Sequence, residues 1–170
     1  MRNEVIFDDR GIPDIMVAFM PDELGLPAEL KGRKVEAYLI GKYQATMIDG
    51  VPHSLPFQQP AVNVSHDDAI RLCEAKGPGW HLITNDEWAA LAHQSRKNGT
   101  LPRGNTGSGK SHSHPEETGT TYDGGYGKTL TGSGPVTWNH DHTAEGVADM
   151  VGNVWEHVGG IRFLDGQVQI

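Results

Sequence analysis

Asp149-Met150-Val151-Gly152-Asn153-Val154-Trp155-Glu156 concentrates the most specific chemistry in this chain. Gly152 permits a tight backbone. Trp155 supplies a large apolar ring, expected as a core anchor. Asn153 and Glu156 place side-chain oxygens close together.

Upstream of that segment, two helices carry clear punctuation. Ser65 is an N-cap with Asp68 three residues on; Ala69, Leu72, Cys73 and Lys76 follow at helical spacing, and Gly77-Pro78 stops the run. Thr84 with Glu87 forms a capping box; Trp88, Leu91, Ala92 and Ser95 share a face, and Asn98-Gly99 ends it. Residues 1–34 read as one or two strands followed by a polar loop. Val35 to Ile48 is aromatic and β-branched around Gly41, which predicts a bulged strand or two short strands, with a hairpin turn at Asp49-Gly50. Residues 99–135 are dense in Gly, Ser and Thr and predict a long loop region with short hairpins at most. The tail predicts a hairpin turning at Asp165-Gly166.

The 170 residues suit one domain. Twenty-two glycines, 36% hydrophobic and 21% charged residues describe a globular, loop-rich chain. A net charge of −8 repels phosphate and anionic membrane, which argues against nucleic acid or a lipid surface as partner. Cys73 is the single cysteine, so an intramolecular disulfide and a cysteine-based zinc site are both excluded. The N-terminus does not read as a secretory signal, and no apolar run approaches the roughly 18 residues of a membrane span. The expected location is cytoplasmic, or outside the cell by a route other than standard export.

Gly104-Asn105-Thr106-Gly107-Ser108-Gly109-Lys110-Ser111 spells a phosphate-binding loop letter for letter. That motif works only between a buried strand and a helix start. Here a helix stop and turn precede it, and Pro115 follows too soon for a helix, so no nucleotide is expected. Two H-x-H pairs, His112/His114 and His140/His142, have the spacing of a chelate on a strand, but their Gly, Ser, Asn and Pro neighbours favour loops.

Three segments together resemble one family: Pro60-Ala61-Val62-Asn63-Val64-Ser65 with Cys73 beyond it, Trp80-His81-Leu82-Ile83-Thr84-Asn85-Asp86-Glu87-Trp88, and the Asp149 to Glu156 segment. Their order and spacing are similar to those of the formylglycine-generating, or sulfatase-modifying factor, superfamily, over roughly residues 12–160. The resemblance implies an α+β, C-type-lectin-like fold with two helices, small antiparallel sheets and long irregular loops. It also implies a Ca²⁺ site built from Asn153, the Val154 carbonyl, Glu156 and the Val158 carbonyl, an oxygen-only set suited to a hard cation. The family's enzymes use a cysteine pair to bind copper downstream of this motif; the chain ends 14 residues after Glu156 without one, so no copper is expected. Cys73 is expected in the core.

Stretches such as Gly77-Pro78-Gly79-Trp80 and Gly99-Thr100-Leu101-Pro102-Arg103-Gly104-Asn105 resemble bacteriophage and prophage proteins of this fold. The expectation is a non-enzymatic lectin-like module, virion- or tail-associated, binding protein or glycan through loops 103–143. Arg103, Asn105, Lys110, Tyr122, Tyr126 and Trp138 are the expected contact residues, with a core position as the alternative for Trp138, and other virion proteins are further partners. The alternatives are an enzyme of the sulfatase-modifying or a metal-dependent type, and a purely structural subunit of a homo-oligomer.

Overall fold

The structure, a computed structural model, describes every residue except Met1, Asp123, Gly166 and Ile170. It is an α+β arrangement of short antiparallel strands and helices, followed by a long irregular segment. Strands β1 (Arg2–Phe7), β2 (Pro13–Phe19) and β5 (Tyr38–Gly41) form one antiparallel sheet in the order β1-β2-β5. The central strand β2 is nearly continuously buried from Asp14 onward, as a strand covered on both faces should be. Asp8 closes the β1–β2 turn, its Oδ1 accepting from the Arg10 and Ile12 N–H groups at 2.9 and 2.8 Å.

Between β2 and β5 the chain forms two elements absent from the expected polar loop. One is a single-turn helix α1 (Pro21–Leu24), with Pro21 at its first turn and left-handed Gly25 at its end. The other is the small hairpin of β3 (Glu29–Leu30) and β4 (Arg33–Lys34). Strands β6 (Ala45–Ile48) and β7 (Val51–Ser54) form the expected hairpin. Asp49 and Gly50 both take positive φ, 49° and 79°, the pair a two-residue type I′ turn requires.

Helix α2 (His66–Glu74) starts at Ser65, whose Oγ accepts from the Asp68 N–H at 3.1 Å. Helix α3 (Asn85–Asn98) starts at Thr84 with both halves of the capping box made, and stops at left-handed Gly99. The core is small: Val17, Phe19, Leu24, Ile40, Leu91 and Val147 are buried together, with Ile83, Ala90 and Met150 packed against them. Each such side chain contributes about 1.5–3 kcal/mol of burial.

Residues 99–160 wrap this core with a short 3-10 turn at Val136–Trp138 and isolated bridges. One parallel bridge, Asn105 to Gly152, joins the segment to itself, and another, Thr84 to Gly159, ties it to the start of α3. In the tail, β8 (Arg162–Leu164) pairs with β9 (Gln167–Gln169). Asp165 of the expected turn lies in the left-handed region, and Gly166 lies outside the described residues.

Candidate functional site

The Gly104–Ser111 stretch is a folded loop with its own structural purpose. A Cβ on Gly104 would overlap the Val151 carbonyl oxygen, so glycine is required there by close backbone approach. Gly109 takes φ 91° and donates its N–H to Asn105 Oδ1 at 2.7 Å. Lys110 pairs antiparallel with Thr118, and the Ser111 N–H donates to the Glu117 carbonyl. The chain therefore turns back on itself where a phosphate site would begin a helix.

Of the expected contact residues, three are structural. Arg103 grips Glu117 with Nε and Nη2 together, a bidentate pair. Thr137 Oγ1 and Trp138 Nε1 also donate to that carboxylate, at 2.9 and 3.1 Å. The four donors, the Arg103 bond foremost, hold Glu117 down to a pKa of about 2. Trp138 is 1% exposed and lies on Gly134, which corrects its reading as a contact residue: it is an interior ring. Asn105 is buried and knits loops, its Nδ2 donating to the Gly127 carbonyl at 2.8 Å. Tyr122 is half-buried over Gly125, while Lys110 and Tyr126 are exposed, Tyr126 at 94%.

The second correction mirrors the first. Trp155, expected as the core anchor, is 102% exposed. The two tryptophans exchange the places that their sequence contexts suggest.

Asn153, with φ 63°, is the node of the irregular segment. Its Oδ1 accepts from the Thr129 N–H at 2.7 Å, and from Thr129 Oγ1 and Asn105 Nδ2 at 3.2 Å each. Its Nδ2 donates to Gln44 Oε1 and the Thr129 carbonyl. An oxygen facing three donors does not fit a cation ligand, so the implied Ca²⁺ set of Asn153, Val154, Glu156 and Val158 lacks its first member in this arrangement. Among the described residues, no three of His, Cys, Asp and Glu gather as a metal site. His140 is buried with both ring nitrogens engaged, one accepting the Val147 N–H and the other facing Gln94 Oε1, so it is not free to chelate with His142.

Two clefts meet at the Val154–His157 segment. The first, about 300 Å³, lies between the sheet and helices α2 and α3. Its lining includes Met16, Leu72, Cys73, Trp80, Trp88 and Glu156. Burial pushes the Cys73 thiol pKa up, which keeps it protonated and a poor nucleophile. The second, about 610 Å³, is bounded by residues 61–64, 105–106 with 108, 126–128 and 153–155 with 157. Tyr126 and Trp155 both line it, with Asn63, Thr106, Ser108 and Lys128 offering polar groups. His157 lines both clefts, its Nε2 donating to the Val64 carbonyl at 3.1 Å and its ring set edge-on to His66.

The second cleft thus draws on residues 61–64, 153–155 and 157 as well as on residues within the 103–143 loops. The exposure of Trp155 has no local signal, because tryptophan is generally well buried and no periodicity runs through an irregular segment. The family model described as the sulfatase-modifying factor enzyme 1-like domain matches residues 31–160 of the chain. No curated protein matches it.

Proposed function

The chain belongs to the sulfatase-modifying factor enzyme 1-like domain family, and within that family we propose that it is a non-enzymatic, lectin-like binding module that recognises glycans at the second cleft. One observation carries this reading: two fully exposed aromatic rings, Tyr126 and Trp155, border the same polar-lined cleft. Sugar rings present C–H faces that stack on aromatic planes, while their hydroxyls need amide, hydroxyl and ammonium partners. Asn63, Thr106, Ser108 and Lys128 supply those partners. Solvated aromatic rings without a ligand leave apolar area in water, and covering them is favourable. Irregular loops held on a rigid core suit such recognition.

Cys73 lines the apolar cleft with its thiol pKa raised by burial, which does not favour a copper-binding thiolate there. The resemblance to phage and prophage proteins supports a virion- or tail-associated setting, with surface glycans as targets. A glycan array with purified protein is the test. The wild type is expected to bind a defined glycan class, and Tyr126→Ala and Trp155→Ala are each expected to weaken binding about tenfold or more. Both side chains are exposed, so both variants should keep the wild-type unfolding midpoint. An array without signal, or full binding by both variants, overturns the reading.

A further inference from the structure

The geometry points to a second binding site in the apolar cleft: a pocket for a small organic cation, a protonated amine on an aromatic or aliphatic body, with the ammonium received by the Glu156 carboxylate. The charge inventory of the cleft carries this. Three carboxylates line it: Asp14, Glu87 and Glu156. Asp14 takes the Lys76 ammonium at 2.5 Å and lies 3.1 Å from His53 Nδ1. Glu87 faces His81 Nε2 at 3.1 Å. Glu156 has only neutral donors, Gln44 Nε2 at 2.9 Å and Trp88 Nε1 at 3.4 Å. Among the described residues, no cation forms an ion pair with it.

These two donors fix the carboxylate and occupy one lone pair on each oxygen. Each oxygen keeps a second lone pair for an incoming N–H. Glu156 as a residue is exposed, so an incoming amine can reach its carboxylate, and desolvation pushes its pKa up. Around it, Met16, Leu72, Leu82 and Met150 give apolar wall, and Trp88 and Trp155 give indole rings. Indole faces attract cations. The same cleft already shows that contact once, with Lys76 Nζ 4.1 Å from the Trp80 ring centre. A volume of about 300 Å³ sits at the small end of ligand pockets, which run roughly 300–1,000 Å³. The net charge of −8 favours a cation at long range.

Isothermal titration with 2-phenylethylamine, and with 2-phenylethanol as its neutral counterpart of similar shape, tests the site. The amine is expected to saturate one site, and the alcohol to bind at least about tenfold more weakly, as a charge-assisted hydrogen bond requires. Glu156→Gln is expected to erase that preference. Equal binding of the two probes, no binding of either, or an undiminished preference in a folded Glu156→Gln variant overturns the proposal. The comparison of amine with alcohol on the unsubstituted protein stands even where the variant does not fold. Glu156 lines the apolar cleft and not the second one, so the amine preference it carries reads that cleft, and failure of that preference is distinct from failure of the glycan reading.

Discussion

Asp149 and Glu117 pull the pH dependence of stability in opposite directions. Asp149 is 2% exposed, and desolvation foremost, with Glu156 nearby, raises its pKa from 3.8 to about 6 despite the Gly132 N–H it accepts. Its contribution is fully present below about 3.8 and is lost as pH rises through about 6. Glu117 is depressed from 4.5 to about 2, so its contribution is present above about 4.5 and is lost as pH falls towards about 2. Together they place a stability maximum in the mildly acidic range. Asp149→Asn keeps an acceptor for Gly132 and suits the left-handed backbone at φ 58°. We expect urea unfolding of this variant to lose the decline between pH 4 and 6 and to gain about 1–3 kcal/mol at pH 7. Glu117→Gln should instead be destabilised by about 1–3 kcal/mol at pH 7, because Arg103 loses its charged partner.

The helices were legible in the sequence because their signals are local. Ser65 with Asp68 and Thr84 with Glu87 act within one turn, and Asp49-Gly50 fixes a hairpin through two backbone angles. Thr84→Ala should cost about 1 kcal/mol, measured by chemical unfolding. That loss is modest because α3 is also anchored by Leu91 and by Ser95, whose Oγ bonds the His140 carbonyl at 2.6 Å. The one-turn helix α1 was not legible, since four residues carry no periodicity. Nor was the exposure of Trp155, while the sequence left Trp138 open between loop surface and core. Trp138 is buried over its near neighbour Gly134 and held by Glu117, 21 positions away, a partner that the fold and not the local sequence supplies. Gly152→Ala addresses the irregular segment in the same way. It takes φ 75°, and a Cβ there would overlap the Asn105 carbonyl, so we expect a loss above about 2 kcal/mol in the same assay.

Across the molecule, the loop segment is joined to the sheet and helices by hydrogen bonds between residues far apart in sequence. The Asn153 amide reaches Gln44, Asn105 and Thr129 at once, and Gln44 in turn reaches the Asp149 carbonyl and Glu156. The sequence marked Asn153 as special but not why, because its partners lie 24, 48 and 109 positions away. This wiring also has a kinetic meaning. Chain closures that span such distances are slow, and little is gained until all the ends have met. Residues 99–160 should therefore order late and together, after the hairpins and capped helices have formed. In pulsed hydrogen exchange, amides of α3 should gain protection before the Thr129 amide that bonds Asn153. A growing chain would thus present its glycine-rich half unfolded until Asn153 has been made and has met its partners.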